Sequence, residues 1–350
     1  MKGETAGHSN ENNFDLLRLI AAFFVIVSHS FGILGKGLQQ PALWYTNKHL
    51  ILSDVGLYIF FTISGFLVTQ SLFNSDSLAY YLWKRFIRIV PALSVVNVVC
   101  IITGVFVTSL PASNYLSNFE TWTYFIKNTT LVKNQSTLPG VFTSFKDDSV
   151  NASIWTILIE VKFYILLFIA AYPILTRKWL FLALFIVFQA LRVYVTFFHK
   201  ISVEGFDFDI YFTYGTYFFL GSLYYCFKED IPLEWFYANI LMAIALITVF
   251  TFLQPVTEAL FFAYCILIIG NSKAFINLRG YDISYGLYLY AFPVQQLVLL
   301  TLGEALNPWL HVVISTVLAL VPAFASWIFV ERPLLKMKNR KFRLFQNAKT

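Results

Sequence analysis

Ten stretches of this sequence read as helices that cross a bilayer, and that repetition constrains the fold more than any motif does. A spanning helix needs about 20 mostly apolar residues to cross about 30 Å of hydrocarbon. The stretches are 14–34, 51–73, 86–110, 154–175, 179–198, 210–227, 235–252, 256–269, 281–302 and 310–330. No soluble core has room for that much apolar surface. Hydrophobic residues make up 58% of the chain and charged residues 13%, against about 45–50% and about 25% in soluble domains. The expected fold is all-α, a polytopic membrane bundle of about ten transmembrane helices.

Charge orients the bundle. An even number of spans puts both termini on one side. With that side taken as cytoplasmic, sixteen Lys and Arg fall inside, counting Arg88 at the inner end of the third span, and six outside, while Arg18, Lys162 and Arg192 lie deeper within spans. Positive charge retained on the inner side favours this orientation. Residues 1–13 then form a cytoplasmic tail, 14–330 a single transmembrane domain, and 331–350 a basic cytoplasmic tail. The tail faces anionic headgroups, which explains the net charge of +6 without nucleic acid. Segment 111–153 becomes a long outer loop, and its Tyr115, Trp122 and Tyr124 suit a packed cap. Cys100, Cys226 and Cys265 all lie in apolar runs and read as small buried hydrophobes, not as a disulfide framework or a metal-ligand set.

Ionisable groups inside spans are expensive and mark function by default. Arg18 and His29 are separated by ten residues, all apolar except Ser28. Eleven helical steps return to within about 20° and climb about 16 Å, so both groups line one face of the first span. Arg85 and Arg88 share a face where the third span begins, and their guanidinium forks suit a phosphate group. In the fourth span Ser153, Thr156, Glu160 and Tyr164 form a polar stripe, which places Glu160 near the depth of His29. Tyr281, Ser284, Tyr288 and Gln295 form a comparable stripe in the ninth span, with Asp282 at its start. Such stripes commonly serve interhelical hydrogen bonding. Small residues in Phe60-Phe61-Thr62-Ile63-Ser64-Gly65-Phe66-Leu67 mark a close helix approach. No Walker loop, zinc-type His/Cys set or Gly-x-Ser-x-Gly elbow is present.

In this order and spacing, the elements resemble the acyltransferase 3 family of multi-pass membrane proteins. The sharpest is Arg18-x10-His29. Around it stand 60–67, Arg85-x-x-Arg88, 151–164, Asp282-Ile283-Ser284-Tyr285-Gly286-Leu287-Tyr288, and Val330-Glu331-Arg332-Pro333. Many members carry a second His shortly after the Ser-Tyr element, where this chain reads Leu289-Tyr290-Ala291-Phe292-Pro293.

The resemblance implies a stand-alone O-acyltransferase of the bacterial inner membrane. Its donor is an acyl-CoA, most often acetyl-CoA, and its acceptor a hydroxyl of a surface or exported polysaccharide. His29, Arg18 and Glu160 are then the catalytic candidates. Arg85, Arg88, Ser153, Trp155, Tyr164, Ser284 and Tyr288 are the candidates for holding the donor. No metal is expected, the partners are acyl-CoA, glycan and membrane lipid, and nothing here fixes the oligomeric state. A neutral His29 suits either a general base or an acyl carrier. The competing expectation is a proton-coupled transporter or flippase, which intramembrane Arg, His and Glu also fit. It lacks the internal repeat and the paired broken spans that carriers display.

Overall fold

The computed structural model describes residues 12–45, 50–75, 77–171, 178–198, 202–203, 206–276, 278 and 280–337. The architecture is all-helical apart from one two-residue ladder. In chain order the helices are α1 (Phe14–Ile33), α2 (Pro41–Tyr45), α3 (Leu52–Phe73), α4 (Leu78–Val107), α5 (Ala112–Ser117), α6 (Phe119–Thr130) and α7 (Ile154–Ala171). There follow α8 (Lys178–Phe197), α9 (Phe208–Cys226), α10 (Trp235–Thr248), α11 (Gln254–Asn271), α12 (Ser284–Leu302) and α13 (Pro308–Ser326). The ladder pairs Ser202–Val203 with Phe206–Asp207, antiparallel.

Each of the ten expected stretches carries a helix. Seven are long and apolar enough to cross a membrane: α1, α3, α4, α8, α11, α12, and α13 with its continuation to Met337. That count is of the described residues and leaves three stretches. Helix α7 is 18 residues long and apolar despite Glu160 and Lys162, whereas Tyr, Thr and Ser dilute α9 and α10 has only 14 residues. The tails 1–11 and 338–350, and Lys48, Arg177, Lys200 and Arg279, lie outside the described residues. Part of the charge asymmetry rests on them.

The chain divides into two compact units. The first comprises the described residues up to Ala21, Leu57–Ser75 and Phe163–Tyr281. The second comprises Ala22–Gly56, Asp76–Lys162 and the described residues from Asp282 onward.

In the first unit α3 and α9 pack backbone to backbone. A Cβ on Gly65 would collide with the Phe218 carbonyl, and one on Gly221 with the Thr62 carbonyl. Small residues were expected to bring helices close here, and α9 is the partner. Tyr58 stacks on Tyr217 at 3.9 Å, and Phe61 on Tyr214 at 4.9 Å. Arg192 lies buried beside them, donating to the Pro255 carbonyl at 2.7 Å with Glu258 at 3.7 Å. It is therefore a structural ion pair of this unit. Asn13 ties the start of α1 to the end of α11. Its amide donates to Ile269, Ser272 and Lys273, and its Oδ1 accepts from the Phe275 N–H.

The second unit contains a proline whose consequence is visible. Pro293 inside α12 has no N–H, which frees the carbonyl four residues earlier. That carbonyl, on Leu289, accepts from the Asn151 side chain at 2.9 Å. The start of α7 is thereby fastened to the middle of α12.

Candidate active site

The second unit gathers most of the expected site residues. The turn of α1 around His29 is fixed from two sides. Gln295 Nε2 donates to the Ile26 carbonyl at 2.8 Å and to Ser30 Oγ at 2.6 Å. Ser28 Oγ donates to Gln40 at 2.7 Å and accepts from the Ser53 N–H at 2.9 Å. The His29 ring meets Phe292 edge-on, with centroids 5.1 Å apart. Phe292 falls in the stretch where many members of the resembling family carry a second histidine.

Gln296, one turn beyond Phe292 on α12, holds the segment leading into α7. Its amide donates to the carbonyls of Asp147 at 2.8 Å and Ser149 at 2.7 Å. Phe145 and Ala152 pack against a cluster that includes Ile33 and Phe292. This brings the exposed Asp147 carboxylate within electrostatic reach of His29. The charge of Glu160 reaches Tyr288.

The two polar stripes meet each other. Thr156 Oγ1 lies 2.5 Å from the Tyr288 hydroxyl, Thr156 also donates to the Ser153 carbonyl, and the Ser153 N–H donates to Asn151. Trp155 lies beside them, partly exposed, in the first turn of α7. Tyr164 belongs to the first unit, where its hydroxyl is 3.0 Å from Ser64 Oγ.

At the start of α12 a charged group collects. Arg88 donates to Asp282 at 2.5 Å and lies over the Tyr285 ring, while Ser284 donates to the other Asp282 oxygen at 2.6 Å. Buried Glu331 accepts from Ser326 at 3.0 Å and feels the charges of both Arg88 and Asp282. The Arg85 charge reaches Tyr81 on the preceding turn of α4. An anionic ligand at Arg88 would thus share a guanidinium already oriented by a carboxylate. Arg18 lies in the first unit, paired with Asp15 at 2.8 Å. The α1 helix is continuous from Arg18 to His29, so the two remain in phase along one face.

Sequence reasoning missed three participants, Gln296, Asp147 and His311, and named Glu331 only as part of the terminal motif. His311 is fully buried on α13 and places Nε2 3.1 Å from the Gln295 carbonyl. The rule that singled out His29, an ionisable group in an apolar span, applies to it equally. Among the described residues no cluster of His, Cys, Asp and Glu is arranged to hold a metal ion.

The family model for the acyltransferase domain matches residues 11–328. The chain belongs to this acyltransferase family. It is 26% identical over 344 residues to the O-acetyl transferase of Shigella phage Sf6, an alignment covering 95% of this chain and 98% of that one. It is 29% identical over 368 residues to nodulation protein 10 of Rhizobium leguminosarum bv. viciae, covering 95% of each. No solved structure matches the chain. The protein is a membrane acyltransferase, moving an acyl group from a donor to an acceptor. Membership answers the transporter alternative in favour of group transfer.

Proposed function

We propose that this acyltransferase moves an acetyl group from acetyl-CoA to a hydroxyl of a surface or exported polysaccharide, across a bacterial inner membrane and with both termini cytoplasmic. The observation that carries the proposal is the arrangement around His29. One imidazole is held on a spanning helix, its helical turn locked by Gln295, Gln40 and Ser53, with an exposed carboxylate near it. The relative named O-acetyl transferase, aligned over nearly its whole length, supports hydroxyl as the acceptor chemistry.

The chain's own groups divide the work. His29 removes the proton from the attacking hydroxyl, as a positioned general base. Asp147 favours the positive charge that the ring then acquires. Arg85 and Arg88 are the groups suited to a coenzyme's phosphates, because guanidinium forks bind phosphate through two parallel hydrogen bonds. A thioester donor supplies an acyl carbon already activated toward attack; as the new ester forms, the carbon–sulfur bond breaks and the coenzyme thiolate leaves with the proton that His29 took up. Ser153, Trp155, Ser284 and Tyr288 line the α7 and α12 stripes and are proposed to shape the donor's path. Arg18, Glu160 and Tyr164 keep supporting roles in this reading.

The test is chemical. Deleting the gene is expected to remove a mass of one acetyl unit from the surface polysaccharide, and restoring it is expected to return that mass. An unchanged polysaccharide, with acetylation of a small metabolite instead, would overturn the acceptor assignment. If the protein takes the acyl-carrier route, acid quenching during turnover traps acetylated protein that His29→Ala cannot form.

A further inference from the structure

Helix α6 has its polarity reversed for a helix in water. Phe119, Trp122 and Ile126 are 78%, 51% and 55% exposed, while Thr121 and Asn128 are buried with Tyr124 on the opposite side. At about 100° per residue the exposed three fall within an arc of about 60°. Thr121, Tyr124 and Asn128 occupy about 140–200° from Phe119, and Glu120 and Lys127 a flank at about 80–100°. The helix therefore has three faces: apolar and exposed, charged, and polar but buried.

Thr121 and Asn128 of the buried face are satisfied from within. Thr121 Oγ1 donates to the Tyr115 carbonyl at 2.7 Å. Asn128 donates to the Gln135 carbonyl at 2.8 Å and accepts from its N–H at 2.9 Å. Gln135 reaches back to the Glu120 carbonyl at 3.0 Å. Such self-sufficiency is what a polypeptide needs where water is scarce. Helix α6 packs against the spanning helix α4, and α5 beside it does the same. Asn97 donates to Thr129, and the Tyr115 hydroxyl donates to the Ile101 carbonyl at 3.1 Å. Burial pushes that phenol up to about 12, so it stays a neutral donor. Beside this seam α4 exposes Val95, Val98, Val99, Ile102 and Phe106. A spanning helix turns such a surface toward lipid. The exposed apolar face of α6 belongs to a helix packed against this one.

We propose that α6 is an interfacial helix, with Phe119, Trp122 and Ile126 immersed in the lipid beside the C-terminal half of α4 and the Glu120–Lys127 flank turned to water. Amphipathic helices that lie in a membrane surface show this division between an apolar and a charged face. The inference rests on the membrane placement of α4 and stands whether or not the acceptor is a glycan.

The test uses the full chain in nanodiscs of phosphatidylethanolamine and phosphatidylglycerol, with Cys226 and Cys265 replaced by Ala. Spin labels are placed by Phe119→Cys, Trp122→Cys, Ile126→Cys and, as the flank control, Glu120→Cys. Collision with oxygen is expected to exceed collision with a soluble nickel chelate several-fold at the first three sites, and the order to reverse at Glu120. Nickel dominating at the three would overturn the proposal. Dipolar broadening with both collisions suppressed would also overturn it, assigning the face to a second copy. A label-free check uses Trp122→Phe. The fluorescence this change removes is expected to be strongly quenched by brominated lipid; quenching by aqueous acrylamide instead contradicts the proposal.

Discussion

A side chain on a membrane helix has little water around it to set its orientation, so its neighbours must. At His29 those neighbours are Phe292 at the ring edge and the hydrogen bonds that lock Ile26, Ser28 and Ser30. The charged neighbour is Asp147, whose backbone Gln296 fixes. Asp147→Asn is therefore expected to lower kcat by about 10-fold, a fraction of the 10²–10⁴-fold that a positioned base supplies. KM for acetyl-CoA should be unchanged, and Asp147→Glu should recover most of the rate. Steady-state acetyl transfer in detergent checks this; a rise in KM with constant kcat would assign Asp147 to binding. His29 and Arg18 were legible in the sequence because a polar residue in an apolar run stands out. Asp147 was not, since an acidic residue in a polar loop is ordinary until Gln296, far along the chain, captures its carbonyl.

At the scale of elements, periodicity foretold the helices, and chemistry paired them. The stripes of α7 and α12 were each visible from spacing, and the structure joins them through Thr156 and Tyr288. The less visible join is Asn151 to the carbonyl that Pro293 leaves open. An unpartnered buried carbonyl costs about 1–3 kcal/mol. Asn151→Leu is accordingly expected to destabilise the protein by about that amount, read as a lower thermal midpoint in detergent, while Asn151→Asp loses the donor without losing the shape. If Asn151→Leu melts with the wild type, the fastening is not used. Glu160 shows where spacing stops helping. Depth along a helix can be counted from rise per residue, but the neighbour at that depth depends on how helices are rotated, so the reach of the Glu160 charge to Tyr288 was not readable from spacing.

For the whole molecule, composition was decisive: a chain so apolar and so poor in charge belongs in lipid, and its long apolar helices follow. The division into two units was not legible, because it interleaves segments distant in sequence, with α1, α3 and α7 each contributing to both. If Arg85 and Arg88 hold the donor, acetyl-CoA should stabilise the purified protein. Ligand at 100 times its Kd adds about 2.7 kcal/mol. Paired Arg85→Ala and Arg88→Ala changes are expected to abolish that gain, whereas His29→Ala should keep it. A gain that survives the double change would return the two arginines to anchoring at the membrane surface.

The most direct measurement is acetyl transfer to polysaccharide by His29→Ala protein at wild-type abundance, with acetyl-CoA stabilisation confirming its fold. The account expects turnover to fall by at least about two orders of magnitude, the lower bound for loss of a positioned base. Transfer at the wild-type rate would contradict it.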